Sequence, residues 1–174
     1  MENEERRDFL HSAIVVNPYY SRRSPSGMTH CVLQHSVFLG QESGLTGSYY
    51  EFPLHPGLGT AVFSEEINAD LEVLAGRRDI LGTGSSGRII FMKYLADVPK
   101  DAEKLKQLKD VCATASELDS LAVYIQAARR FGCDFKEDAK KARKASKSCL
   151  GWSEDWIRTF EAMRKRINSL AVSA

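Results

Sequence analysis

The sequence predicts an α+β fold, in which an N-terminal region of short antiparallel strands with one or two helices packs on a C-terminal four-helix bundle-like unit. Apolar residues alternate, as they do in strands, in short segments of the first hundred residues. From Pro99 onward they recur at helical spacing, and the short links between these helical segments are typical of antiparallel neighbours. Residues 1–99 and 100–174 are expected to form one compact domain with a shared core.

Four segments in the first 54 residues have the composition or spacing of a helix or a strand. Residues 2–10 are rich in charge and suit either a short helix or a loose arm. Residues 13–17 form an apolar run that predicts a short strand, which Pro18 would stop. Residues 29–39 alternate like a strand, and residues 48–54 could pair with them in a hairpin at a sheet edge.

A helix and a second hairpin are predicted next along the chain. Ser64 is expected to cap a helix over residues 65–75, which has two glutamates in its first turn and ends at Gly76. Residues 79–81 and 88–95 are predicted to be the strands of a hairpin, because both are apolar and a glycine-rich stretch separates them.

The helical segments of the C-terminal region cover residues 101–113, 117–131 and 135–150, followed by a last helix that Ser153 caps. Residues 117–131 are the most apolar and are expected to form the central helix. Ser116 is its predicted N-cap, with Asp119 in a capping-box position, and Gly132 ends it. The last helix carries an apolar stripe that is expected to bury against the central helix, at Trp156, Phe160, Met163, Ile167 and Leu170.

The composition is that of a globular protein. The chain has 174 residues, of which 43% are hydrophobic and 27% charged, and this length can bury a sizeable core. Its first twenty residues open with charges and lack the pattern of a signal peptide, and no apolar run approaches the ~18 residues of a membrane span. We therefore expect an intracellular protein, in the cytoplasm or nucleus, without a transmembrane segment.

Charge is distributed unevenly along the chain. Residues 1–99 hold eight Lys and Arg against twelve Asp and Glu, a net charge of −4, while residues 100–174 hold sixteen against eleven, a net charge of +5. On a helix over residues 135–150, the basic side chains fall within an arc of about 100° opposite the apolar side. The predicted polyanion-binding residues are Arg129, Arg130, Lys136, Lys140, Arg143, Lys144 and Lys147. Such a face suits RNA or another polyanion, although a face kept for solubility has the same pattern.

A second candidate interaction segment is an aromatic and basic loop. Tyr19 and Tyr20 lie close to Arg22 and Arg23, and aromatic side chains beside arginines can stack on nucleic acid bases. The alternative interpretation, which is favoured because such clusters are common, is a loop that places both tyrosines against the core.

Histidines give a weaker indication of catalysis or metal binding. His30, Cys31 and His35 lie within six residues, but on a strand His30 would point away from the other two. A zinc site would need His55 or a distant cysteine, and a pair of His30 or His35 with Glu51 lacks a fixed spacing. We predict no catalytic residue, metal or cofactor, and keep an enzyme site near His30, His35 and His55 as an alternative.

The glycine-rich segment Gly82–Gly87 has the glycine spacing of a phosphate loop. Arg88 and Ile89 stand where that motif has Lys and Ser or Thr, so a hairpin tip is predicted instead. The chain's four cysteines form no CxxC pair and are expected to be buried free thiols.

The leading hypothesis for the function is a non-enzymatic protein that binds RNA or another polyanion through its basic helical face. A small viral structural or accessory protein would suit such a chain, although no motif supports that context. The alternative is a protein–protein adaptor or a self-assembling, matrix-like protein that uses Trp152, Trp156 and the tyrosine loop as a surface for a partner or a second copy.

Overall fold

The computed structural model of the protein describes residues 2–20, 27–54, 61–83, 88–91, 98–130 and 153–173. Within these residues the architecture is α+β, with six α-helices and a three-stranded antiparallel sheet, so the predicted fold class is confirmed. The helices are α1 (Glu2–Val16), α2 (His30–Ser43), α3 (Glu65–Gly76), α4 (Lys100–Lys104), α5 (Ala115–Arg130) and α6 (Glu154–Ser173), and a 3₁₀-helix covers Leu105–Asp110. The strands are β1 (Met28–Thr29), β2 (Ile80–Thr83) and β3 (Arg88–Phe91).

The strand predicted at residues 13–17 is wrong, because this run lies in α1. Phe9, Leu10, Ala13 and Ile14 are all buried, and this spacing places them on one face of a helix. Burial of that face against the core outweighs the strand preference of the β-branched run. The helical alternative for the charged residues at the start of the chain is confirmed.

Residues 30–39 are helical and form most of α2, while Thr29 ends strand β1, so the strand predicted over residues 29–39 is wrong beyond its first residue. Every residue from Val32 to Gly40 is buried, and a helix covered on all sides lacks an amphipathic period from which it could be identified. Thr29 caps the helix, since its hydroxyl accepts a hydrogen bond from the amide of Val32 at 3.2 Å. Gly44, with φ at 77°, ends it in the left-handed conformation.

The predicted second strand at residues 48–54 is not a strand. Instead, the side chain of Gln41 on α2 satisfies its backbone. The Gln41 Oε1 atom accepts hydrogen bonds from the amides of Tyr49 and Tyr50, both at 3.0 Å, and Gln41 Nε2 donates to the Tyr50 carbonyl at 2.8 Å. One amide side chain thus replaces the partner strand that the alternation suggested.

The second predicted hairpin is confirmed. Strands β2 and β3 pair antiparallel, with Ile80 opposite Phe91 and Thr83 opposite Arg88. Strand β1 adds to the other edge of β3, which gives the order β1-β3-β2. The tip was predicted over Gly82–Gly87, but its first two residues belong to β2. Residues 84–87 and the end of the second predicted strand beyond Phe91 lie outside the described residues.

The helix predicted from residue 65 is confirmed as α3, but its start differs from the prediction. Ser64 makes no capping hydrogen bond with its side chain. Its amide instead donates to Gln34 Oε1 on α2 at 2.7 Å. After Gly76, Arg78 adopts the left-handed conformation, with φ at 59°.

The predicted helix at residues 101–113 is divided between α4 and the 3₁₀-helix. Ala102, Leu105, Leu108 and Val111 are all buried and lie three residues apart. That spacing forms one face of a 3₁₀-helix, which has three residues per turn. The segment is largely helical as predicted, but more than half of its helical residues form a 3₁₀-helix instead of an α-helix.

The central helix is confirmed as α5, which contacts α2 on one side and α6 on another. Its predicted cap is wrong. Thr114, not Ser116, is the cap residue: Thr114 Oγ1 accepts from the Glu117 amide at 3.1 Å, and Glu117 Oε2 accepts from the Thr114 amide at 3.0 Å. This reciprocal pair is a capping box. Asp119 contacts another helix, and Gly132 lies outside the described residues.

We expect Thr114→Ala to lower the free energy of unfolding by about 1 kcal/mol, because it leaves an amide of the first turn of α5 without an acceptor. Ser116→Ala is the matched control, since Ser116 is exposed and lies in the same turn; its effect should stay within about 0.5 kcal/mol. Urea unfolding of both variants measures this difference. If Ser116→Ala lowers the free energy of unfolding more than Thr114→Ala does, Ser116 is the N-cap of α5, as predicted from the sequence.

The last helix, α6, buries most of its predicted stripe but not its first residue. Phe160, Met163 and Ile167 are buried, and Ile157 joins them. Trp156 is 58% exposed, so its predicted burial is wrong. The Tyr124 ring of α5 lies 6.3 Å from the Phe160 ring between centroids, which joins the two helices.

Helices from both sequence halves contribute to the hydrophobic core. Besides the contacts of α5 with α2, helix α1 packs against α4. The predicted helix at residues 135–150 lies outside the described residues. The predicted boundary at residue 99 and the four-helix unit stay predictions.

Candidate nucleic-acid interface

Two of the predicted polyanion-binding residues lie at the end of α5, Arg129 and Arg130. The others lie outside the described residues: Lys136, Lys140, Arg143, Lys144 and Lys147. Arg130 is exposed and makes no ion pair within the described part of the chain.

Arg129 is held by three neighbours. Its Nη1 atom donates to Gln126 Oε1 at 3.2 Å and lies 3.5 Å from Glu42 Oε1. Its guanidinium carbon lies 5.7 Å from the centre of the Phe38 ring, a cation–π contact. These contacts orient the guanidinium group and partly neutralise its charge.

Arg129 also lines a cleft of about 330 Å³. The end of α2 contributes Gln41 and Glu42, and the other lining residues are Ser48 and residues 50–53. We call it the Arg129 cleft. It combines a cation, two carboxylates and an apolar wall, so it can accept a ligand that carries both polar and aromatic groups.

A second basic surface runs along α6. Arg158 and Lys165 are exposed and lie seven residues apart, which places them on one side of the helix. Arg166 donates a hydrogen bond to the carbonyl of Asp110, while the Lys109 ammonium group lies over the Tyr19 ring. We call the set Arg158, Lys165 and Arg166 the α6 basic strip.

The aromatic loop is described only at its start. Tyr19 and Tyr20 are half-buried against the core, as the favoured interpretation expects. The Tyr19 hydroxyl donates to the Cys112 carbonyl at 2.6 Å, and Lys109 lies 4.8 Å from the centre of its ring. Burial raises the pKa of Tyr19, so the hydroxyl stays a donor. Arg22 and Arg23 lie outside the described residues.

His30 and His35, the two histidines of the alternative enzyme site that the structure describes, lie five residues apart on α2, which places them on different sides of the helix. His35 on α2 places Nδ1 2.7 Å from Asp119 Oδ1 on α5, so Asp119, not Glu51, is the carboxylate beside it. His30 is partly buried, and burial lowers its pKa. His55 lies outside the described residues. Among the residues that the structure describes, no group of three His, Cys, Asp or Glu side chains could hold a metal ion.

The two cysteines that the structure describes differ from each other. Cys31 is exposed, which contradicts its predicted burial, because it is the second residue of α2 and lies at the surface in the first turn. Cys112 is buried as predicted, and burial raises the pKa of its thiol to about 12. Cys133 and Cys149 lie outside the described residues.

A buried ion-pair network, which the sequence did not reveal, joins α1 to α3. Asp70 is 1% exposed and accepts from Arg6 Nε at 2.7 Å, Arg7 Nε at 3.0 Å and the Tyr50 hydroxyl at 3.1 Å. On the same face, Glu4 pairs with Arg77 at 2.7 Å. The network is structural, since every partner belongs to the chain itself.

These ion pairs accentuate the charge difference between the two halves. They neutralise Arg6, Arg7 and Arg77 and leave exposed carboxylates that take part in no ion pair among the described residues: Glu5, Asp8, Glu51, Glu65 and Glu72. In the described part of residues 98–173, the exposed basic residues that take part in no ion pair with another described residue are Lys100, Lys109, Arg130, Arg158, Lys165 and Arg166. The basic surface therefore lies on the C-terminal helices.

Comparison of the chain with protein-family models, curated proteins and solved structures finds no match. Within the described ranges, no helix has the length and apolar character that crossing a membrane requires. The function is therefore inferred from the arrangement of the residues themselves.

Proposed function

We propose that the protein binds RNA, or another polyanion of similar charge density, without catalysing a reaction. The observation that carries this proposal is the surplus, in residues 98–130 and 153–173, of exposed basic side chains that make no ion pair with another described residue. Phosphate backbones release bound counterions when lysines and arginines neutralise them, which supplies sequence-independent affinity. The proposal includes an intracellular location, in the cytoplasm or nucleus, and the context of a small viral structural or accessory protein.

The proposed surface has two parts. The first is the α6 basic strip together with Arg130. Helices α5 and α6 run antiparallel, as two contacts indicate. Phe160 of α6 lies against Tyr124 of α5, and Arg166, further along α6, donates a hydrogen bond to Asp110, which precedes α5. Arg130 thus lies toward the start of α6, and Arg166 toward its end. The second part is the basic set predicted from sequence: Lys136, Lys140, Arg143, Lys144 and Lys147.

The salt dependence of binding tests this proposal most directly. Each phosphate contact on a single strand contributes a slope of roughly −0.7 in log K against log salt concentration. We expect Lys165→Gln to flatten the slope for a single-stranded RNA by about that amount, with little dependence on RNA sequence. Fluorescence anisotropy of a labelled oligonucleotide over a salt series measures the slope.

Arg78→Gln is the matched control, because Arg78 is also exposed and without an ion pair in the described residues but lies beyond the end of α3. It should leave the slope unchanged. Reversing Lys140, Arg143, Lys144 and Lys147 to Glu together should abolish binding with the fold retained, because these residue types have similar helix propensities. A wild-type protein that binds neither RNA nor DNA at low salt would contradict the proposal.

A second candidate function is a protein–protein adaptor or a self-assembling protein, and the exposure of Trp156 favours it. Large aromatic side chains are enriched in the centres of protein interfaces. Trp156 touches the buried Phe160 ring, with 5.6 Å between centroids, so a partner seated there would extend the core. A molecular mass that rises with concentration in light scattering, without RNA binding, would favour this candidate.

A further inference from the structure

We infer that the Arg129 cleft binds one guanine nucleotide of the bound RNA strand. This inference rests on the proposed function and deepens it, because it adds a base-specific site to a surface that otherwise contacts phosphates. The cleft lies at the end of α5 next to Arg130, one of the residues assigned to that surface. A strand that contacts Arg130 therefore passes beside the opening of the cleft.

The size of the cleft fits one nucleotide. Its volume of about 330 Å³ is at the lower end of small-molecule pockets, which span about 300–1,000 Å³. A duplex cannot enter it, but a base turned out of a single strand can, and unstacked bases are the usual targets of sequence-specific RNA recognition. Phe52 and Pro53 supply an apolar wall against which a base can pack.

Arg129 presents an unused edge to a phosphate group. Both of its polar contacts, with Gln126 and Glu42, use Nη1. Its Nε and Nη2 atoms make no hydrogen bond within the described residues. These two atoms form the fork that binds phosphate oxygens in a bidentate manner. The Phe38 ring beneath the guanidinium group restricts its orientation.

Glu51 is the residue that would distinguish guanine from the other bases. Its amide donates to Glu66 Oε2 at 3.1 Å, while its exposed carboxylate makes no hydrogen bond or ion pair with another described residue. A carboxylate accepts two parallel hydrogen bonds from the adjacent N1–H and N2–H₂ groups of guanine. Adenine, cytosine and uracil do not present such an adjacent pair of donors. Glu42 is less suited to this role, since it faces Arg129.

A lysine or arginine side chain from a partner protein is the competing occupant, because the cleft holds two carboxylates. Arg129 argues against it, since a second cation would enter beside a guanidinium group already in place. An anionic ligand with a donor-rich aromatic ring satisfies Arg129 and Glu51 together. This match of charges is the reason for choosing a nucleotide.

The inference is tested with nine-nucleotide RNAs, one of uridine alone and one with a single central guanosine. We expect wild-type protein to bind the guanosine-containing strand about tenfold more tightly, the discrimination typical of one bidentate pair. Glu51→Gln should remove this preference, so that the two strands bind with equal affinity, because an amide presents only one acceptor. Glu65→Gln removes the same charge from an exposed position on α3 and is the control.

The outcomes separate the two proposals. Equal, salt-dependent affinity of wild-type protein for both strands would overturn the inference and leave the proposed function standing. Loss of the preference in Glu65→Gln as well would also overturn it, because net charge alone would then explain the effect. Absence of all RNA binding at low salt would overturn both. If an arginine-rich peptide binds the wild type but not Glu51→Gln, and the guanosine strand shows no preference, the cleft binds a protein cation.

Discussion

Replacing Asp70 with Ala is expected to lower the free energy of unfolding by about 3–5 kcal/mol, the cost of breaking a buried ion pair by removing one partner. Asp70 accepts three hydrogen bonds while it is nearly inaccessible to solvent. Its removal leaves the guanidinium groups of Arg6 and Arg7 and the Tyr50 hydroxyl without their shared acceptor. Urea unfolding at neutral pH, followed by circular dichroism, measures the loss.

Glu66→Ala is the matched control for this substitution. Glu66 pairs with the same Arg6 guanidinium group at 2.6 Å, but its side chain is 42% exposed. Exposed ion pairs contribute only about 0–1 kcal/mol, so this variant should unfold almost like the wild type. Equal losses for the two variants would show that burial of Asp70 does not decide the energetics of the network.

The same network determines how stability depends on pH. Burial alone would raise the pKa of Asp70, but hydrogen bonds from Arg6, Arg7 and Tyr50 outweigh it and hold that pKa below its usual value. Since the unfolded-state pKa is about 3.9, the contribution of Asp70 is fully present above that pH. It is lost as the pH falls through the lower folded-state value. Asp70→Asn should therefore lose less stability on acidification than the wild type.

Replacing Phe160 with Ala is expected to cost about 3–5 kcal/mol, as for other large-to-small changes in a core. Phe160 is 1% exposed and lies against the Tyr124 ring of α5. Its loss opens a cavity between the two helices that carry the proposed basic surface. Thermal and urea unfolding measure the effect.

Trp156→Ala provides the comparison within the same helix. Trp156 lies one turn before Phe160 and is more than half exposed, so its truncation should cost less than about 1 kcal/mol. The larger side chain should thus have the smaller effect. If Trp156→Ala proves as destabilising as Phe160→Ala, Trp156 must be covered in the folded protein, and its role as an interaction surface would be wrong.

The RNA proposal depends on which arginines and lysines form ion pairs within the chain. The number of basic residues in each half does not provide this information. The sequence contains arginines in both halves, but those of α1 and the α3 end are held by carboxylates of the same region. Most exposed cations of α6 have no such partner within the described residues. The candidate interface is therefore defined as much by the network around Asp70 as by the lysines and arginines themselves.

Several elements could be predicted from sequence because their signals are local. The stripe of α5, the acidic first turn of α3 and the two strands around the glycine-rich segment each lie within a few consecutive residues. The side chains that decide these elements are neighbours along the chain, so their spacing carries the information. Of the site residues, Arg129 and Arg130 were predicted as binding residues, and their assignment still awaits a test.

Only the tertiary structure decided the rest, because the deciding partners are distant in sequence. Helix α2 is covered on all sides, so its pattern could not distinguish a helix from a strand. Gln41 satisfies the backbone at Tyr49 and Tyr50, which removes the need for a strand there. Asp70 meets arginines more than sixty residues away, and His35 meets Asp119 eighty-four residues away. Residue types alone do not specify such pairs, since the folding of the intervening chain brings them together.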